Sequence, residues 1–351
     1  MSASLLASNN IDSDSHSRSS VVKSSKFFGI AISMIVSLFA SACGNDEGSL
    51  EANRPTVVVT TNILGDVVRN LVGDELEVIT IMPVGANPHD FQASAKQVAE
   101  ISKAAALVVN GADFEEGLLD VIDSASMNGV RVFEAISAVK QLDYNKNDHT
   151  DHTDHADHDD HADHADHADH AHDGVDPHFF TDPARMAVAV KAISDFLIAT
   201  IEGIDIAVLR SNTNAYVGKL EALDAEVAAM VEGVPEERRV LVTNHQVFGY
   251  FADRYGFEFV GTIIPTGSTA DGASAQQLTK LSKTIKEEKV PAIFTDTSSS
   301  DQLAQTLAAE TGQIQVVKLY SESLGNEDSD GSDYLEMVRT NATRITTALG
   351  G

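Results

Sequence analysis

Two separate series of short β-branched runs, each alternating with helix-like segments, constrain this 351-residue chain more than any other feature. In the first series Thr56–Thr60 (TVVVT), Glu77–Met82 (EVITIM), Ala106–Asn110 (ALVVN) and Val130–Glu134 (VRVFE) are bounded by Gly, Asn or Pro. Ile63–Leu71 and Ser94–Lys103 read as helices between them. The second series is Arg239–Thr243 (RVLVT), Glu258–Ile264 (EFVGTII), Ala292–Thr295 (AIFT) and Gln315–Leu319 (QVVKL). Runs this short, alternating with helices, predict an α/β fold with parallel sheets. A hydrophobic content of 43% is enough to give each series a core.

The stretch between the two series reads as helical. Asp182-Pro183 places an N-cap residue before a proline at the first helical position, a start signal. Met186, Ile193, Phe196, Leu197 and Ile201 then recur at helical spacing until Gly203. A second helix carries Leu209, Tyr216, Leu220, Leu223, Val227 and Met230 and ends before Gly233 and Pro235. From Asp205 to Val231 it would run ~40 Å at ~1.5 Å per residue, long enough to join two lobes.

The N-terminus reads as an export signal. Arg18, Lys23 and Lys26 precede an apolar stretch from Phe27 to Ala42. As a helix it would span ~24 Å, short of the ~30 Å hydrocarbon core of a bilayer. Positive flank, short apolar run and the small residues Ala40, Ser41 and Ala42 describe a cleaved signal peptide. Cys43, the only cysteine, follows directly and has no partner for an internal disulfide. Its position resembles a bacterial lipoprotein cleavage site, although Ala40 stands where that pattern prefers Leu. A plain cleaved signal with an incidental cysteine is the alternative.

The formal net charge of −29 argues against nucleic acid as a partner, since the 24 basic residues are outnumbered by 53 acidic ones and phosphates need a basic surface. It suits a soluble protein that attracts cations. Ten Asp lie between Asp148 and Asp173, in repeats of Asp-His-Ala or Asp-His-Thr. The same segment holds His149, His152, His155, His158, His161, His164, His167, His170 and His172. A period of three fits neither helix nor strand and offers no apolar face, so the segment reads as a disordered loop. Its imidazoles, mostly neutral near pH 7, are competent for weak, fast metal binding, opposed by the entropy of ordering the loop. A solvated spacer is the competing reading.

Apart from this repeat and His16, three histidines remain, each in a loop punctuated by Pro, Gly or Asn. His89 lies in Pro83-Val84-Gly85-Ala86-Asn87-Pro88-His89-Asp90-Phe91, past the run ending at Met82. His178 lies in Asp176-Pro177-His178-Phe179-Phe180-Thr181-Asp182-Pro183, just before the linker helices. His245 follows the RVLVT run directly. Ligands of open α/β sheets bind beyond the carboxyl ends of the strands. His89 and His245 are at such ends, one in each series. Three neutral imidazoles suit zinc, which takes four ligands. Glu322, past the strand ending at Leu319, is the choice for the fourth, with Asp296, just past AIFT, as runner-up.

Four of these segments, in order, resemble the signature segments of the zinc/manganese solute-binding proteins of ABC importers (ZnuA/TroA-like, cluster A-I). They are Pro83–Phe91, Asp176–Pro183, Asn244–Phe257 and Tyr320–Gly325. The resemblance runs from about Thr56 to the C-terminus, the His/Asp repeat excepted. It implies two Rossmann-like lobes joined by a long rigid helix, with one buried ion in the cleft between them. It places His89, His178 and His245 on the family's first three ligand positions. Glu322 stands where the family usually has Asp. His245 and the His/Asp-rich loop point to the zinc branch, since manganese binders tend to place a carboxylate third.

The implied organisation is a signal peptide (1–42), a lipidated Cys43 with a tether (43–55), a first α/β lobe (56–181) carrying the repeat (148–173), a helical linker region (182–235) and a second α/β lobe (236–351). The implied function is capture of Zn2+ outside the cytoplasm and delivery to the membrane permease of an ABC importer, by a monomer anchored to the cell membrane through its lipid or free in the periplasm. Three alternatives compete with it. One is a Mn2+-binding member of the same family. Another is a zinc buffer or adhesin in which the repeat is the active part. The last is a zinc hydrolase with Glu322 as general base and Asp90 recruitable, although no His-Glu-x-x-His helix or nucleophile constellation is present. No enzyme activity is therefore expected.

Overall fold

All eight runs form strands in the computed structural model, which describes residues 54–144, 174–264, 268–269, 272–312 and 314–350. Residues 1–53, with the signal and Cys43, lie outside the described residues, as does the repeat with its nine histidines. The first sheet holds β1 (Thr56–Val59), β2 (Glu77–Thr80), β3 (Ala106–Val109) and β4 (Val132–Glu134) in the order β2-β1-β3-β4. The second holds β5 (Val240–Thr243), β6 (Glu258–Thr262), β7 (Ala292–Asp296) and β8 (Gln315–Leu319) in the order β6-β5-β7-β8. Every pairing is parallel.

Parallel strands need crossovers that cover both faces of the sheet. In the first lobe these include α1 (Asn62–Val72), α2 (Ala95–Ile101) and α3 (Leu119–Met127). In the second they include α6 (Gly249–Tyr255), α7 (Ala275–Glu287), α8 (Gln302–Glu310) and the final α9 (Tyr334–Ala348). Side chains alternate across a strand, and the cores follow that alternation. Val57, Val59, Ala106 and Val108 face one side of the first sheet while Val58, Leu107 and Val109 face the other. In the second sheet Leu241, Ala292 and Phe294 face inward and Val242 and Ile293 outward.

The two inner faces belong to one continuous core, filled between the sheets by α4 (Pro183–Thr200) and α5 (Ile206–Glu232). Asp182 caps α4 through Ala184 N at 2.8 Å, with Pro183 at the first turn, as the sequence signal predicts. The 27 residues of α5 span ~40 Å and pack against α4, α1 and α9, so one helix touches elements of both lobes. Among the described residues no helix is long and apolar enough to cross a membrane.

Most strands differ from the sequence reading by one or two residues at one end. β4 begins at Val132 rather than Val130, because the Val130 N–H turns back to the Ala125 carbonyl at the end of α3. β6 stops at Thr262, after a register shift opposite Leu241 and Val242. Asp296, expected just past its strand, is the last residue of β7, paired with Leu319.

Candidate metal centre

Both sheets present the carboxyl ends of their strands to one cleft, and four side chains converge there. His89 comes from the loop after β2, His178 from the turn before α4, His245 from the residues after β5, and Glu322 from the residues after β8. Their candidate donor atoms all lie within 4.8 Å of one another. All four are buried, between 0% and 6% exposed. Glu322 Oε1 is the hub, at 2.6 Å from His89 Nε2, 3.0 Å from His245 Nε2 and 3.3 Å from His178 Nε2.

Local structure holds His178 from several directions. Asp176 Oδ1 accepts from the His178 N–H at 3.0 Å and sits 2.7 Å from its Nδ1. Thr181 Oγ1 donates to the His178 carbonyl at 3.0 Å, and Tyr334 OH of α9 donates to the Phe180 carbonyl at 2.8 Å. Asp176 is itself fixed, since Tyr250 OH of α6 donates to its carbonyl at 2.8 Å. Its second oxygen lies against Gly249, where any Cβ would collide with it.

His89 is held differently. Its N–H donates to Asn87 Oδ1 at 3.0 Å, and its Nδ1 faces Glu116 Oε1 at 2.8 Å. Phe114 meets both His89 and His178 edge-on, with ring centroids 5.7 and 5.5 Å away, and walls that side with apolar surface. His245 has its carbonyl held by Thr243 Oγ1 at 2.7 Å and by the Val247 N–H at 3.0 Å. Its Nδ1, though buried, has no hydrogen-bond partner among the described residues.

Burial disfavours charge on His89, His178 and Glu322, yet opposite charges that meet there overcome it. For His89 desolvation is outweighed by Glu322 and Glu116, which push its pKa up to about 10. For His178 desolvation is outweighed by Asp176 and Glu322, and its pKa is likewise raised. Glu322 is held well below the usual carboxylate range, the nearby His245 and His89 overcoming its burial. A carboxylate among imidazoles is the arrangement a divalent cation can enter by displacing protons.

The site residues named from the sequence separate here. Glu322 reaches all three histidines. Asp296 does not join the group: its Oδ1 accepts from both the N–H and the hydroxyl of Ser298, and its Oδ2 from the Ser321 N–H at 3.3 Å. Burial, then Glu322, raises its pKa. Asp90 is exposed despite its place beside His89. Cys43 and the nine repeat histidines are beyond the described residues. Sequence reasoning missed two roles. Asp176 had a signal, an Asp two residues before a His across a proline. Glu116 had none, being 27 positions from the ring it meets.

The donor set fits a small divalent cation. Four donors on a tetrahedron with bonds of ~2.1 Å stand ~3.4 Å apart, so modest side-chain movement would close the group around an ion. Two imidazoles already have the outer carboxylate that fixes ring orientation and raises basicity in histidine–metal sites.

Known proteins resemble the chain over nearly its whole length. The family model for the zinc-uptake complex component A, periplasmic, matches residues 57–348. The manganese-binding lipoprotein MntA of Halalkalibacterium halodurans is 27% identical over 319 residues, covering 90% of this chain and 96% of MntA. The zinc-binding protein TroA of Treponema pallidum is 28% identical over 327 residues, covering 91% of this chain and 96% of TroA. The solved structure of the periplasmic zinc-binding TroA superposes with a TM-score of 0.72, at 27% identity, over 85% of this chain and 100% of the TroA chain. The chain belongs to the ZnuA/TroA family of metal ABC transporter substrate-binding proteins.

Proposed function

We propose that this protein captures a zinc ion outside the cytoplasm and delivers it to the permease of an ABC importer. The observation that carries this reading is the convergence of three buried imidazole nitrogens and one carboxylate oxygen within 4.8 Å at the cleft. The ion is cargo, and His89, His178, His245 and Glu322 are its ligands. Three nitrogens and one oxygen make a softer, lower-coordinate site than manganese prefers, since Mn2+ suits oxygen-rich, higher-coordinate cages. Relatives with either metal in their names make the choice a matter for measurement. A hydrolase is less well supported: Glu322, its candidate base, sits among the three imidazole nitrogens rather than apart from them.

In the same proposal Cys43 carries the lipid that keeps the mature monomer at the membrane. Residues 56–181 and 236–351 form the lobes, and 182–235 form a rigid linker. The histidines of 148–173 act as weaker auxiliary ligands that raise local zinc. Elemental analysis after dialysis tests the stoichiometry. One tightly held zinc per chain, retained when residues 148–173 are deleted, is the expected result. A deletion variant without a tight ion would sink the cleft assignment. In competition titrations zinc should displace manganese, and a tighter manganese constant would move the cargo to that metal.

A further inference from the structure

Asn62 and Ser323 meet across the cleft beside Glu322, and neither belongs to the donor cluster. Asn62 is the first residue of α1 and is 5% exposed. Its carboxamide donates to the Pro83 carbonyl at 3.0 Å and to Ser323 Oγ at 3.0 Å, and accepts from the Leu324 N–H at 2.8 Å. The Ser323 hydroxyl accepts a second hydrogen bond from the Gly85 N–H at 2.7 Å and donates to the Leu324 carbonyl at 3.0 Å. With a carbonyl facing one end of the carboxamide and an N–H facing the other, its orientation is unambiguous. Gly85 takes a φ of 78°, a left-handed conformation that glycine adopts without penalty.

Four of these five hydrogen bonds tie together three segments. One is the start of α1. Another is the Pro83–Gly85 stretch of the loop that carries His89. The last is Ser323–Leu324, directly after Glu322. Glu322 follows a strand of the second sheet, yet its next two residues are bonded to the first lobe. A buried polar network with its members satisfied selects one arrangement and resists others. Partners behind metal ligands typically change affinity about 10- to 100-fold when removed.

We propose that Asn62 and Ser323 form a latch that holds the Glu322 loop against the His89 loop and so sets how slowly the ion leaves. The proposal rests on the metal-capture reading above. The latch bonds involve neither ion nor ligand atoms, so they persist while a single ion–ligand bond breaks. Rebinding then outruns separation of the loops. Removing the latch lets the loops part in that interval. The effect falls on dissociation, which is where most affinity differences among variants of one site reside. Asn62 and Ser323 are positioning residues.

The test uses the full chain loaded with Zn2+, with release followed by stopped-flow transfer to a chromophoric chelator and association measured separately. Asn62→Ala should raise the dissociation rate about 10- to 100-fold and leave association within about threefold. Ser323→Ala should raise dissociation less, and the double variant should be no faster than Asn62→Ala alone, because the two act as one unit. Wild-type dissociation in both single variants, additive effects, or a loss carried by association would overturn the latch. Should Asn62→Ala fail to fold, Ser323→Ala, which removes one oxygen, decides alone: an unchanged rate overturns the proposal. A wild-type chain that holds no zinc would instead refute the metal-capture reading itself.

Discussion

His89 and His178 reach the cleft from the first lobe with both ring nitrogens engaged, whereas His245 reaches it from the second with Nδ1 unpartnered among the described residues. The sheets behind them share the same strand order, so the difference does not come from the architecture. Nor does it come from the backbone, since the His245 carbonyl accepts two hydrogen bonds. It is confined to the ring. Asp176 and Glu116 hold the first-lobe imidazoles from behind, whereas the buried His245 ring is held only at Nε2, by Glu322. The contrast teaches that two rings of the cluster are braced at both nitrogens and the third at one.

The largest effect that probes this contrast is loss of a ligand. Zinc should stabilise the folded protein by about 4 kcal/mol when free ion is a thousandfold above its dissociation constant. His178→Ala should remove most of that gain. His245→Ala should cost roughly 3- to 10-fold less in affinity. An unbraced side chain gives up about 0.5–1.5 kcal/mol of rotamer freedom on binding that a braced one has already lost. Thermal melts at fixed free zinc, with competition titrations, measure both. Equal losses would break the comparison.

Next come the carboxylates behind the rings. Asp176→Asn and Glu116→Gln should each lower zinc affinity about 10- to 100-fold. The side chain of Asp176 is 2% exposed and that of Glu116 33%, so Asp176→Asn should lie at the upper end of that range and Glu116→Gln at the lower. If neither substitution alters affinity, the bracing has no energetic content.

A smaller effect concerns protons. Glu322 and Glu116 overcome burial to push His89 up to about 10, so this ring carries a proton at neutral pH before an ion arrives. Binding should release it, and apparent affinity should fall about tenfold per pH unit of acidification for each proton displaced. Calorimetry in buffers of different ionisation enthalpy counts the protons. No release at pH 7 would mean that His89 is neutral in the ion-free protein.

The smallest effect is on the ion-free protein itself. The raised pKa of His89 contributes stability that is fully present below its unfolded value of 6.5 and is lost as pH rises through about 10. The depressed pKa of Glu322 contributes stability present above 4.5 and lost as pH falls through its folded value. The ion-free protein should therefore gain most from the cluster between about pH 4.5 and 6.5, and Glu322→Gln should flatten the dependence. A melting profile in chelator across pH 4–10 checks the shape, and an identical curve for the variant would count against the pairing.

The sequence by itself determined the strands, the capped start of α4, the long α5 and the loop positions of the three histidines. Those properties are local: side-chain period, chain-stiffening Pro and the capping geometry of Asp182 act over a few residues. Tertiary structure alone decided what each acidic group meets. Glu115 and Glu116 are adjacent and chemically alike, yet Glu115 is buried against Thr60 and the Asn110 N–H, while Glu116 turns to His89. Asp296 and Glu322 both end or follow strands of the second sheet, and only Glu322 extends to three imidazoles, one of them 233 positions away in the chain. The longer arm of Glu does not account for this by itself, since Asp296 has its oxygens occupied by Ser298 and Ser321. Contacts across such separations depend on how α4 and α5 set one sheet against the other. That is a property of the packed core, and no window of sequence contains it.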